Sequence, residues 1–260
     1  MMSDLHWKTA VSDVKPNKIL IRGYPLDQLM GKVTFSQGIY LVLKGEMPSP
    51  EIGRLIDAVF VSSIDHGAGP PSVLAARTVA STGAELNAAL AGGILSISRF
   101  HGGAIEGAMN MFQRIGRIMD DGTGTEMEKA VHDELTRMKA AKKRAPGFGH
   151  RVHTQDPRTD RLFSLAQELN LAGRYVAMAR EVEKGLREMT GKPLPINVDG
   201  AIAALLCDLD IPSEIGNAFF MIARTAGLVA QIHEEKTRMR PMRKIHPEDF
   251  EYDGPGERKN

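Results

Sequence analysis

The stretch GFGHRVHTQDPR, residues 147 to 158, sets His150 directly after two glycines and between the cations Arg151 and Arg158. Glycine allows backbone to pass close to a neighbour or a ligand. An imidazole flanked by guanidinium groups resists protonation, because like charges disfavour its charged form. The combination offers a neutral base or hydrogen-bond donor in cationic surroundings, which suits chemistry on an anion. Arginines grip carboxylates through two parallel N–H donors, and Arg158, Arg224 and Arg240 are candidates for that work. Arg224, in IARTAG, interrupts an otherwise apolar helical run, so it must face either a structural acid or an anionic ligand.

Three more polar residues stand at Gly/Pro-rich joints, where rigid elements can present them. His66 lies beside Asp65 in DHGAGPPS. Asp65 either orients that imidazole or caps the segment that follows. His101 precedes two glycines and an apolar helix in HGGA. A helix N-terminus opposes positive charge, so His101 is either a neutral donor to a carbonyl or an incidental turn residue. Asp199 in INVDG starts another apolar helix, as an N-cap or as a partly desolvated general base. No HxxxH, HExxH or multi-cysteine spacing suits a metal, no GxSxG elbow suits a hydrolase, and no GxxxxGK[ST] loop is present.

Helices must position these groups. RYVAMAREVEKGLREM (174–189) puts Tyr175, Met178, Val182, Leu186 and Met189 on one stripe, and Met127, Val131, Leu135 and Met138 repeat the pattern. DRLFSLAQELN and VDGAIAALLCDL read as shorter helices, and SEIGNAFFMIARTAGLVAQIHEEKTRM as a long one. Its middle is apolar nearly all round, which predicts an interior position. KILIRGY (18–24) is the best strand signal, so an almost all-α protein is expected. Breakers at 45–51, 66–72, 99–103, 120–125, 144–149 and 191–200 mark the connections.

Composition fixes the class. The 260 residues carry 33 Lys+Arg against 32 Asp+Glu, which gives no reason to invoke nucleic acid or an anionic membrane. The single cysteine, Cys207, excludes an internal disulfide and reads as a buried, inert thiol. MMSDLHWKTAVSD lacks the pattern of a signal peptide, and no apolar run approaches the roughly 18 residues of a membrane helix. A soluble, cytoplasmic protein is the expectation.

As a set, DHGAGPPSVLAARTVASTG, RFHGGAIEGAMNMF, GFGHRVHTQDPR, INVDGAIAALL and FFMIARTAGLVAQIHEE resemble, in order and spacing, segments of the citrate synthase superfamily. The short N-terminal region, DHG and NVDG point within it to the citryl-CoA lyase branch, which includes the lyase module of ATP citrate lyase. The resemblance implies an all-α homodimer, or a higher homo-oligomer, with an active-site cleft between two domains. Residues 1–105 and 206–260 would form the large domain and residues 106–205 the small one. His101 would hydrogen-bond the thioester carbonyl, and His150 would serve the oxaloacetate carbonyl, the hydroxyl of citryl-CoA. Asp199 would move the proton at the acetyl carbon. His66, Arg158 and Arg224 would hold oxaloacetate carboxylates, with Arg240 supplied by a second subunit. Pro146, Gly147, Phe148 and Gly149 would lie against the adenine end of CoA.

The implied reaction is cleavage of citryl-CoA to acetyl-CoA and oxaloacetate. The alternatives are a citrate or 2-methylcitrate synthase and a non-catalytic binding or scaffolding subunit. No metal or permanently bound cofactor is implied, the CoA thioester being substrate. A separate citryl-CoA synthetase is an implied functional partner.

Overall fold

A computed structural model describes residues 7–122, 124–149 and 154–259 of the chain. It opens with a small antiparallel sheet, β1 (Ser12–Lys15), β2 (Lys18–Ile21) and β3 (Tyr24–Pro25) in that order. The expected strand over 18–24 is broken at Arg22 and Gly23, whose φ values of 48° and 86° turn the chain. β1 pairs Ser12 with Ile21 through to Lys15 with Lys18. Its SDVK sequence is exposed throughout and shows no apolar alternation, so periodicity could not reveal it.

Helices make up most of the rest. They are α1 (Leu26–Leu29), α2 (Phe35–Lys44), α3 (Pro50–Ser63), α4 (Pro71–Ser81), α5 (Leu86–Leu95) and α6 (Ala104–Met119). Next come α7 (Met127–Ala140), α8 (Pro157–Glu168), α9 (Arg174–Thr190), α10 (Val198–Asp208) and α11 (Gly216–Arg238). Their starts follow local chemistry. Thr34 and Gln37 form a capping box on α2, and Ser49 caps α3 ahead of Pro50. Asp156 caps α8 in the same way ahead of Pro157. The expected stripes face inward: Met178, Val182 and Leu186 of α9 are buried, as are Val131, Leu135 and Met138 of α7.

The chain divides into two compact units. The first comprises Met1–Ile64 and Gly102–Arg224. Its centre is α10, which buries Val198 and every residue from Gly200 to Cys207 and packs against α3, α6, α8 and α9. Cys207 lies there as a free, buried thiol, pushed up to about 12 by desolvation. The buried thiol read from its surroundings is what the fold contains.

The second unit comprises Asp65–His101 and Thr225–Asn260. Its core joins Val73, Ala76, Ala80, Ala89, Leu228 and Ile232. A Cβ on Gly93 would stand 3.0 Å from Ala76 Cβ and from the Ser72 carbonyl oxygen, so small residues let α4 and α5 approach closely. Leu74, Leu86, Leu95 and Phe100 remain exposed in this unit, Phe100 at 93%.

One expectation needs correction. By length and composition the segment 213–238, which contains α11, is apolar enough to cross a membrane. A core helix satisfies the same test. Phe219, Leu228 and Ile232 are wholly buried along it, and so are the charged Arg224 and Glu235, each 2% exposed. Burial against protein along part of its length accounts for an apolar helix that still carries buried charges.

Candidate active site

Asp199 is the second residue of α10, and the cap is its neighbour Asn197. The Asn197 backbone is extended (φ −90°, ψ 176°), and its Oδ1 accepts from the N–H groups of Asp199 and Gly200 at 3.0 and 3.2 Å. The bland reading of Asp199 as the helix cap is thereby removed. Its carboxyl is instead desolvated, and burial pushes it up to about 6, against the downward pull of Arg158 and then Arg224. The negative charge of Asp156 adds to the rise. A carboxyl poised there holds a proton in an appreciable fraction of molecules near neutrality, which suits it to give and take one.

Arg158 sits at the start of α8, gripped by Asp156. Nε donates to Asp156 Oδ1 at 2.9 Å and Nη2 to Oδ2 at 2.8 Å, a bidentate pair whose carboxylate is fully buried. The same Oδ2 accepts from the Val198 N–H at 3.2 Å. One buried acid therefore orients the arginine and anchors the first residue of the Asp199 helix. Thr159 adds a second tie, donating from Oγ1 to the Ile196 carbonyl at 3.1 Å. Asp156 and Asn197 carry no role in the sequence reading, although an Asp before Pro at a helix start is a legible cap signal.

Arg224 is 2% exposed on α11. Nε donates to the Ser63 carbonyl at 3.1 Å, and the guanidinium lies 4.6 Å from the Phe220 ring centroid. Arg158, Arg224 and Asp199 thus share one electrostatic environment within the first unit: two guanidinium groups around one desolvated carboxyl. A dicarboxylate is the ligand class such a pair of cations can hold.

The turn at 145–149 belongs to the same unit. Gly147 and Gly149 have φ of 82° and 85°, the left-handed region that glycine adopts without cost. Gly147 also presses on α10: a Cβ there would lie 2.6 Å from the Gly200 Cα. Phe148 packs edge-on against Phe112 at 6.3 Å between centroids. Beside this turn opens a cavity of about 640 Å³. Leu135, Met138, Phe148, Leu186 and Leu194 give it an apolar lining, and Lys139, Lys142, Lys143 and Arg144 give it cations. The Pro146 ring lies 3.3 Å from where a Gly107 Cβ would be.

The remaining candidates divide as follows. His101, in the second unit, bonds through Nε2 to the Oγ of the fully buried Ser72 at 2.8 Å. Its backbone exchanges both hydrogen bonds with Ser98 across a two-residue turn at 2.8 and 2.9 Å, which fixes where the ring starts. His66 is exposed in the same unit. Asp65 serves the turn beside it: Oδ2 accepts from the Gly67 N–H at 3.1 Å and from Gln231 Nε2 at 3.0 Å. Arg240 is exposed and lines a cavity of about 390 Å³ with Ser81, Thr82, Glu235, Met239 and Met242. His150 lies outside the described residues.

The family and structural comparisons agree with this architecture. A model described as citrate synthase, C-terminal domain, matches residues 45–247. The solved citryl-CoA lyase of Hydrogenobacter thermophilus is 40% identical with a TM-score of 0.89, over 98% of this chain and 97% of that one. The ATP citrate lyase of Methanothrix soehngenii, solved with citrate and coenzyme A, is 25% identical with a TM-score of 0.82, over 99% of this chain and 43% of that one. A citrate synthase from Synechocystis sp. is 30% identical over 210 residues, 78% of this chain and 50% of that protein. The chain spans about half the length of the curated relatives it matches. An all-α, citrate-synthase-like fold around a desolvated Asp199 with two arginines, matched by the family model over most of its length, makes this chain a member of the citrate synthase family.

Proposed function

We propose that the protein is an enzyme, a citryl-CoA lyase, cleaving citryl-CoA to acetyl-CoA and oxaloacetate. The observation that carries this reading is the Asp199 carboxyl, lifted to about 6 by burial and faced by Arg158 and Arg224. The likeness to the citryl-CoA lyase of Hydrogenobacter thermophilus over nearly the full length of both chains supports the direction.

In the reaction, Arg158 and Arg224 hold carboxylates of the oxaloacetate half, joined by His66 and by Arg240 from a second copy. His150 takes the hydroxyl proton as the carbon–carbon bond breaks. The bonding electrons pass to the acetyl half as an enol(ate), whose oxygen accepts a hydrogen bond from His101. Asp199 then protonates its carbon. Donors aimed at a developing enolate contribute about 3–4 kcal/mol each by analogy with oxyanion holes. The glycines at 147 and 149 admit the thioester's nucleotide end beside Pro146 and Phe148, and the cationic rim of the 640 Å³ cavity suits its phosphates. The CoA thioester is the substrate, and no metal or resident cofactor has a part.

Residues 106–205 are the proposed small domain, with 1–105 and 206–260 as the large one. A homodimer is part of this reading, and a second copy could cover Leu74, Leu86, Leu95 and Phe100, which are exposed in one unit. A separate citryl-CoA synthetase as supplier of the substrate, and a cytoplasmic location, complete the reading. The test is to give purified protein citryl-CoA and follow oxaloacetate with a coupled dehydrogenase. Prompt oxaloacetate without free citrate is expected. Citrate and free CoA from acetyl-CoA plus oxaloacetate would make it a synthase instead, and silence in both assays from folded protein a binding subunit.

A further inference from the structure

One side chain ties the 147–149 turn to the first turn of α10. Asn197 donates from Nδ2 to the Gly149 carbonyl at 2.9 Å, while its Oδ1 accepts from the N–H groups of Asp199 and Gly200. Its own N–H donates to the Gly147 carbonyl at 3.0 Å, and the Gly149 N–H donates to the Pro195 carbonyl at 2.7 Å. Packing leaves no slack between the two segments. A Cβ on Gly200 would stand 2.3 Å from the Gly147 carbonyl oxygen, and that contact is with backbone, which cannot rotate away.

Serine, threonine or aspartate would cap α10 as acceptors. A carboxylate has no proton to donate, and a hydroxyl carries one donor on a shorter arm. Asparagine serves both sides at once. We propose that Asn197 is a positioning residue that joins the 147–149 turn and the Asp199 carboxylate into one mechanical piece, so that a thioester seated on the turn also sets the carboxylate. This rests on the reading above, in which the turn takes CoA and Asp199 moves the proton.

The test compares wild type with N197A and N197S by three measurements. These are the affinity for coenzyme A by calorimetry, kcat and KM for citryl-CoA, and the titration of the Asp199 carboxyl by carbon-13 NMR. N197A loses both connections. Its CoA affinity and kcat should each fall by about tenfold, and Asp199 should titrate at lower pH as water reaches it. N197S restores the acceptor but not the tie to the turn, so the titration should return toward wild type while kcat and CoA affinity both stay low. A residue that only stabilises the fold would lower the melting temperature of both variants and leave the titration and the kcat-against-KM split unmoved. That result, or unchanged CoA affinity in both variants, overturns the proposal. Should N197A not fold, N197S alone decides, by weakened CoA affinity with a wild-type titration. If wild type is inert on citryl-CoA but the titration and CoA arms follow this pattern, the lyase reading fails and the role of Asn197 stands.

Discussion

Replacing Asp199 by Asn should abolish turnover and at the same time make the protein more stable. The ordinary value of the carboxyl is 3.8, and burial lifts it to about 6. At 1.36 kcal/mol per unit, the folded state disfavours the charged form by about 3 kcal/mol. The sign follows from linkage: a group raised on folding contributes stability below its unfolded value and loses that contribution as pH rises through its folded value. The wild type therefore carries this destabilisation in full above about pH 6 and sheds it toward pH 4. Asparagine keeps the shape and discards the charge. At pH 8 the D199N protein should melt higher, by about 6 to 12 °C if the full 3 kcal/mol is recovered. The residue is not wholly enclosed, so the lower end is the expected figure. Differential scanning fluorimetry of both proteins from pH 4 to 8, beside the coupled oxaloacetate assay, makes the comparison. Equal melting temperatures at pH 8, or a gain that does not shrink toward pH 4, would refute the desolvation argument. Near-normal turnover would remove Asp199 from the chemistry.

Other residues give separate tests. D156N leaves Arg158 without its bidentate partner; since Arg158 is 24% exposed, the loss should be about 2 kcal/mol rather than the 3–5 of a fully buried pair, and unfolding in urea measures it. The same change removes a charge that raises Asp199, so the pH limb of kcat should move to lower pH. In G200A the new methyl meets the Gly147 backbone; overpacking should cost about 1–3 kcal/mol and weaken CoA binding, and an unchanged calorimetric affinity would contradict the contact. R224L should lose affinity for oxaloacetate far more than for CoA, with equal losses counting against its role.

Much of the fold was legible because its signals are local. The stripes of α7 and α9, the breakers between helices and the apolar start of α10 follow from periodicity and turn chemistry alone. The site was legible only as residue types at joints. INVDG offers two candidates for one cap, Asn197 and Asp199, and nothing in those letters says that Asn197 takes it. The choice is made by the Gly147–Gly200 contact and the Gly149 carbonyl, some fifty positions away in the chain. Asp156 escaped for the same reason, since its acceptor work for Val198 is long-range. Arg224 was flagged because a cation in an apolar run needs a reason. Its partners, Ser63 and Phe220, required coordinates. β1 gave no signal because it buries nothing.

The proposed carbon–carbon cleavage, with proton delivery to the departing acetyl group, has a direct test. Citryl-CoA is added to the enzyme in deuterium oxide, and the products are separated and weighed by mass spectrometry. The account predicts oxaloacetate together with acetyl-CoA bearing one deuterium in its methyl group, formed by wild type and not by D199N. Free citrate and CoA with no deuterated acetyl-CoA would mean that the thioester is hydrolysed and the carbon–carbon bond left whole, and would contradict it.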